Sequence, residues 1–276
     1  MRTIAEKRSA FRKLHQQGCF MLPNPWDVGS ARMLQQMGFE ALASTSSGHA
    51  WSIGRPDYAI TVEHSIEHLT ELCAAVDLPV NADFETAFAE EPEGVAANVL
   101  RAVGSGVAGF SIEDRHLDGK TLQERGMAVE RVRAAREAID RSGEDVILVA
   151  RTEGLLDDPS QVSAAIDRLV AFAEVGADCL YAPGVWKKED IAAMVRAVAP
   201  KPVNVLAMKP DRTMAELAEL GVRRISIGGA LAAIGWAATM KAAEALKAGS
   251  FAPIAERAPG RKLNELFRPF AEGGSR

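Results

Sequence analysis

Three short stretches place charged side chains at the ends of apolar runs. PVNADFE (79–85) sets Asp83 and Glu85 after the small apolar residues Val80 and Ala82. GFSIED (109–114) ends in Glu113 and Asp114, and DVILVART (145–152) ends in Arg151, with Glu153 just after. Apolar runs of this length read as buried strands. In parallel α/β folds the carboxyl ends of the strands are where ligands bind. Two acidic strand ends beside a basic one suit a divalent cation next to a bound anion. Mg²⁺ takes oxygen ligands, keeps waters and is often held by only one or two carboxylates. Asp83 and Glu113 fit that role, with Mn²⁺ as an alternative ion. Without a cation, several carboxylates at one mouth would repel and raise their own pKa values. The plainer alternative is that one or two of them cap helices or pair with Arg115 and Arg151.

Other candidates cluster at further strand ends: Asn24, Trp26, Asn81, Asn204, Gly228 and Gly229. Thr45-Ser46-Ser47-Gly48 could form a nest of backbone N–H groups and hydroxyls able to cradle a carboxylate, or be a solvated Ser/Gly loop. Arg151 leaves an apolar strand directly, as a bidentate anion clamp, a partner of Glu113, or both. His49 and His116 fall in loops expected over the mouth and are acid/base candidates. His64 and His68 stand one helical turn apart, but with no third ligand nearby they read as a solvated helix face. The glycines of GVAGF (106–110) are explained by chain reversal, and no Walker or dinucleotide fingerprint occurs.

These strand ends need a frame. The start of the chain, MRTIAEKRSAFRKL, reads as an amphipathic helix. Strands follow at 19–26, broken by Pro23 and Pro25, and at 41–45, with a helix between them capped by Asp27 and stopped by Gly38. The segment from Ser46 to Asp57 reads as a polar, Gly-rich loop. Thr61 caps the next helix, Pro92 opens another, and Ser160 is expected to cap a third. Strands at 179–184, 202–207 and 223–229 alternate with helices at 187–199, 213–220 and 231–247. The tally is eight strand-then-helix units, enough for a (β/α)8 barrel. MGFEAL, SGVAGF, VGADCL and LGVRRI repeat one chemistry, a helix-ending glycine followed by entry into a strand, which favours a barrel over an open sheet. Residues 1–252 form the single expected domain. Residues 253–276 are expected to be irregular, apart from a turn or two of helix near 263–267, with a frayed AEGGSR end.

Composition is that of an ordinary globular chain: 276 residues, 47% hydrophobic and 25% charged, enough for a sizeable core. A net charge of -5 gives no sign of a nucleic-acid or membrane-surface role. No apolar run approaches the ~18 residues of a membrane span. The basic start lacks the apolar core of a signal peptide, and the expected location is cytoplasmic. Cys19, Cys73 and Cys179 fit no CxxC pattern and read as reduced thiols.

In order and spacing, NPWDVGSA, the TSSG…GRPD segment, PVNADFE, SIEDR and VART resemble the isocitrate lyase/phosphoenolpyruvate mutase superfamily over about 11–247. The resemblance implies a (β/α)8 barrel, commonly tetrameric, with its last helix swapped between subunits. It also implies Mg²⁺ and 2-oxo acid substrates that react through an enolate. Carried over by position, Thr45, Ser46 and Ser47 look like the carboxylate cradle and Arg151 like its clamp, with Asn204 in the substrate-binding set. Asp57 looks like the loop aspartate near the metal, and Asp83 and Glu113 match metal-site acids. Asn81 stands where most members carry the first Asp of a D-A-D triplet, and Glu85 could compensate for its missing charge.

The loop after Glu113 departs from the family. It reads RHLDGK, without the K-K-C-G-H hallmark of isocitrate and methylisocitrate lyases or the Lys, Asn and Ser of the mutases. Ala182-Pro183-Gly184 occupies the place of the mutase histidine. The surviving expectation is an Mg²⁺-dependent carbon–carbon lyase or decarboxylase acting on a small 2-oxo or 2-hydroxy acid, oxaloacetate-like, with Asp57, Arg151 and His116 as catalytic candidates. The alternatives are a 2-oxo acid-binding protein with little turnover, or a C–C or P–C hydrolase or mutase of the same superfamily. A homo-oligomer is expected. No lysine sits at a strand end, as a Schiff-base aldolase would need.

Overall fold

The computed structural model describes residues 2–271. Among them, eight parallel strands form one sheet in the order β1-β8-β7-β6-β5-β4-β3-β2: β1 Phe20–Leu22, β2 Leu42–Ala43, β3 Val80–Asp83, β4 Gly109–Glu113, β5 Ile147–Arg151, β6 Cys179–Tyr181, β7 Val203–Leu206 and β8 Arg224–Ser226. Between β1 and β2 the closure rests on the Ala43 N–H donating to the Pro23 carbonyl at 3.0 Å. The result is a nearly closed barrel with helices outside, the expected (β/α)8 fold.

The helices are α1 Ile4–Leu14, α2 Val28–Gln36, α3 Ser46–Ser52, α4 Val62–Ala75, α5 Pro92–Gly104, α6 Arg125–Ser142, α7 Gly154–Asp157, α8 Val162–Glu174, α9 Lys188–Val198, α10 Met214–Glu219, α11 Ala230–Lys247 and α12 Gly260–Phe267. Their starts follow local chemistry. Thr3, Asp27, Thr61 and Thr213 each close a capping box, and Pro92 occupies the first turn of α5. The four glycines of the repeated helix-to-strand motif, Gly38, Gly106, Gly176 and Gly221, all adopt positive φ, which a side chain would resist.

Strand alternation sorts the interior. Val80, Ala82, Phe110, Ile112, Leu148 and Ala150 point outward into the core shared with the helices. Asn81, Asp83, Ser111 and Arg151 line a small cavity inside the barrel. At the barrel floor α1 inserts Phe11, whose side chain is fully buried, and His15 meets it edge-on at 4.6 Å between ring centroids. A Cβ at Gly109 would stand 2.8 Å from the Phe11 ring and 2.9 Å from Asn81 Oδ1, so only glycine lets α1 close the floor.

Three expectations need correction. The segment from Ser46 to Ser52 is helix α3, because Thr45 caps it by accepting from the Gly48 N–H. Ser160 does not cap α8; its hydroxyl and N–H both donate to Asp158. The tail has the expected helix near 263–267 but is more regular around it than expected. It holds a 3₁₀ turn at Ala252–Glu256, then α12, which packs against α2, and Arg32 covers the Phe270 ring at 4.9 Å. The expected fraying of the end concerns residues beyond 271, which lie outside the described ones. No described helix is long and apolar enough to cross a membrane.

Candidate active site

The ends of β3, β4 and β5 bring their charged residues together. Strand register places Asp83 beside Ser111 and Glu113 beside Arg151. Arg151 Nη1 reaches Asp83 Oδ1 at 3.2 Å and Glu113 Oε1 at 3.1 Å, and its Nε donates to Glu153. The guanidinium also lies over the Tyr181 ring at 5.1 Å. Burial works against its charge, but Glu113 and Glu153 outweigh that and hold its pKa well above the ordinary value. Arg151 is thus a partner of Glu113 and a clamp on a second carboxylate at once.

The other half of the anion cradle is the start of α3. The Ser46 N–H and Oγ both donate to Asp83 Oδ2 at 3.0 Å. Ser47 turns instead to Thr45, oxygen to oxygen at 3.1 Å, and Thr45 caps the helix. Of the triplet, Ser46 is the residue that holds a carboxylate here, and that carboxylate is the protein's own Asp83.

Glu85 follows the end of β3 with φ 45°, in the left-handed region that non-glycine residues avoid. Arg131, fully buried on α6, braces this segment. It donates to the carbonyls of Thr86, Ala89 (3.0 Å) and Glu113 (3.0 Å) and to Gln123 Oε1 at 2.7 Å. Held so, the Glu85 side chain is buried with Oε1 lacking any hydrogen-bond partner. Burial, then Asp83 and Glu113, push its pKa up to about 9. Burial also raises the carboxyls of Glu113 and Glu153 against the pull of Arg151. Burial and Asp83 raise that of Asp57 at the rim.

Asn81 and Asn204 do not join this cluster. Asn81 Nδ2 donates to the Ala82 carbonyl and Oδ1 accepts from Arg224 at 3.3 Å. Asn204 Oδ1 accepts from Arg224 Nε at 2.9 Å while its Nδ2 donates to Ser226. Both amides are spent on the barrel interior. The acid-x-acid pair at this strand end is Asp83 and Glu85, two residues further on than the resemblance through Asn81 implies. Asp114 is framework: it accepts from Thr152 Oγ1 (2.7 Å), the Glu153 N–H (2.9 Å) and Arg168 (3.2 Å).

The histidines lie apart from Asp83, Glu113 and Arg151. His116 Nδ1 pairs with Glu90 at 2.9 Å. His49 is on α3 and stacks on His68 with centroids 3.8 Å apart. His68 is buried rather than solvated, and burial lowers its pKa to about 3.

Tyr58 was missed by sequence reading. Its hydroxyl donates to Glu113 Oε2 at 2.6 Å, and the signal was its place beside Asp57 in GRPDY. Glu153 and Arg131 were also missed as site residues.

Among the described residues no three His, Cys, Asp or Glu side chains converge as ligands on one point. The donor set nevertheless fits a hard cation that needs only one or two direct protein ligands. It is all oxygen, one buried carboxyl oxygen is orphaned, and burial and mutual repulsion raise the carboxyls' pKa values.

Comparison with known proteins agrees with this fold. A family model described as phosphoenolpyruvate phosphomutase matches residues 11–247. A solved structure from Burkholderia cenocepacia J2315, provisionally described as a lyase/mutase, superposes with a TM-score of 0.92 at 41% identity, covering 96% of this chain and 97% of that one. An uncharacterised protein of Mycobacterium tuberculosis is 31% identical over 88% of this chain and 91% of its own. The oxaloacetate decarboxylase of Pseudomonas aeruginosa is 32% identical over 81% of this chain and 79% of its own.

Proposed function

The chain belongs to the phosphoenolpyruvate mutase/isocitrate lyase superfamily, and from that premise we propose that it is a divalent-cation-dependent carbon–carbon lyase or decarboxylase. Its substrate would be a small 2-oxo or 2-hydroxy acid, with oxaloacetate favoured. One observation carries this reading. Asp83, Glu113 and Glu153 surround the single Arg151 guanidinium, and beside them one oxygen of the buried Glu85 has no partner.

Asp83 and Glu85 are the residues suited to hold Mg²⁺, with Glu113 and Asp57 behind them. The ion would supply positive charge to the oxygens of a keto acid and to the enolate left when the bond breaks. The Ser46 N–H and Oγ, with Arg151 Nη1, are donors suited to a carboxylate, since each already holds one. Their charge and orientation are fixed before the substrate arrives, which is the condition for effective electrostatic stabilisation. Decarboxylation needs no dedicated acid to expel a leaving group. That accords with a loop after β4 that has no cysteine, and with His116 and His49 being engaged elsewhere. Water would return the proton to carbon.

The same cradle, filled by Asp83, also favours a second reading: a 2-oxo acid-binding protein with little turnover. A second copy of the chain would cover α11, whose Ile234, Trp236 and Met240 are exposed; exchange of this helix between subunits is part of the proposal. Oxaloacetate consumption measured with Mg²⁺, with excess EDTA and in Asp83→Ala separates the two readings. The lyase reading expects a loss of ~10²–10³-fold in both controls. Undiminished turnover would defeat it. Tight oxalate binding without product, across a panel of 2-oxo acids, would select the second.

A further inference from the structure

Tyr58 joins two loops that come from different strand ends. Its backbone has φ 59°, an unusual conformation for a bulky residue. Such strain persists only where surrounding contacts over-determine it, and an observed outlier of this kind is a reason to ask about function. Two contacts do so here. The hydroxyl donates to Glu113 Oε2 at 2.6 Å, and the ring lies against Gly119. A Cβ on Gly119 would fall 2.5 Å from Tyr58 Cγ, so the ring is seated where only glycine leaves room.

Gly119 lies in the loop after β4, which is itself ordered. The His116 N–H donates to the Thr121 carbonyl at 2.9 Å, Arg115 bridges Leu122, and Asp118 accepts from the N–H groups of Lys120 and Thr121. Tyr58 reaches it from the segment between α3 and α4 that also carries Asp57. Arg151 holds the other oxygen of Glu113 at 3.1 Å.

We propose that Tyr58 is a positioning residue. It fixes the Glu113 carboxylate jointly with Arg151 and latches the Asp57 segment onto the Arg115–Leu122 loop across the mouth. The role asks only that the phenol donate a hydrogen bond; no proton leaves it. A substrate or cation must enter either past this latch or by opening it, so the bond ties loop closure to the correct placement of Glu113. The inference rests on the proposed function for its kinetic consequence, and on the contacts alone for the latch.

The test uses the full chain. Tyr58→Phe keeps the ring on Gly119 and removes the bond. Amide hydrogen exchange without added ligand should then be about ten- to a hundredfold faster in both 55–59 and 115–122, with the rest of the barrel unmoved, as loss of a charge-assisted bond implies. Unchanged exchange in either loop overturns the latch, whatever the enzyme catalyses. With oxaloacetate and Mg²⁺, Tyr58→Phe should lower kcat about tenfold with KM within about twofold, and should weaken Mg²⁺ binding measured calorimetrically.

Gly119→Ala should reproduce the kcat loss by unseating the ring. Added to Tyr58→Phe it should cost little more, because the bond it breaks is already gone. Full additivity, or wild-type kcat and Mg²⁺ affinity in Tyr58→Phe, overturns the positioning role. A wild type that turns over no 2-oxo acid defeats the functional reading instead, and leaves the exchange result to decide the latch.

Discussion

The mouth and the floor of this barrel each bury an arginine, and they treat it in opposite ways. At the mouth, Arg151 touches Asp83, Glu113 and Glu153, and its charge is reinforced. At the floor, Arg224 meets only neutral groups, Asn204, Asn81 and His15, and burial lowers its pKa. The floor satisfies its hydrogen bonds and carries no surplus of acid. The mouth carries more carboxyls than its cation can serve and leaves one oxygen orphaned. Buried polar groups normally find partners, so the exception marks where a ligand is expected and the rule marks scaffold.

Arg151→Met tests that distinction most severely. It removes a carboxylate donor and leaves Glu113 and Glu153 as buried acids without their guanidinium. Activity on oxaloacetate should fall by ~10³-fold or more. Stability at pH 8 should fall by ~3–5 kcal/mol, and by less at pH 5, where the stranded acids take up protons. Retained turnover would erase the contrast between the two arginines.

Glu85→Gln probes the orphan. A carboxyl whose pKa is raised from 4.5 to about 9 by burial keeps its proton in the folded state after the unfolded chain has lost it. Stability without metal should therefore fall as pH rises from about 4.5 to about 9. The amide removes that slope. The variant should gain roughly 5 kcal/mol over wild type at pH 8 and nothing near pH 4, by chemical denaturation in EDTA. Its Mg²⁺ affinity should drop about tenfold in calorimetry, a 1.4 kcal/mol change. A metal-free stability curve identical to wild type would place Glu85 outside the acid cluster.

Arg224→Met should do the reverse of Arg151→Met. The Asn204 Oδ1 loses its donor inside the barrel, costing ~1–3 kcal/mol in denaturant unfolding. The kcat of the folded variant should stay within about threefold of wild type. A large kcat loss at unchanged stability would make the floor part of the active site.

Much of this frame was legible in the sequence because strand alternation is a strict constraint. Val80 and Ala82 had to face one way, so Asn81 and Asp83 had to face the other. What alternation could not give was depth. Asn81 lies low beside Arg224, and Glu85 lies past the strand end on a left-handed backbone, so the acid pair was read two residues early. The α3 helix was hidden because Ser-Ser-Gly has the composition of a turn. Only the cap on Thr45 and the docking of Ser46 on Asp83 make it a helix. Tyr58 and Arg131 act between elements far apart in sequence; the place of Tyr58 beside Asp57 marks it as a neighbour of the site, but no local pattern encodes the contacts themselves.

The smallest expected effect is the most diagnostic of the floor. His15 is buried edge-on to Phe11 and Phe20, its Nδ1 bonds the Phe11 carbonyl at 2.8 Å, and Arg224 lies against its Nε2. Burial first, then Arg224, lowers its pKa from 6.5 to about 3. The folded state therefore resists a proton that the unfolded chain accepts. The contribution is intact above about pH 6.5 and erodes as pH falls towards about 3, the opposite sign to Glu85. His15→Gln should cost about 1 kcal/mol at pH 7 through lost aromatic contact, and should recover about that much by pH 5 because it has nothing to protonate. Its stability curve and that of wild type should thus converge in acid, whereas those of Glu85→Gln and wild type diverge in base. Parallel His15→Gln and wild-type curves would mean that the floor tolerates a charged imidazole beside Arg224, and that its neutrality is not what sets it apart from the mouth.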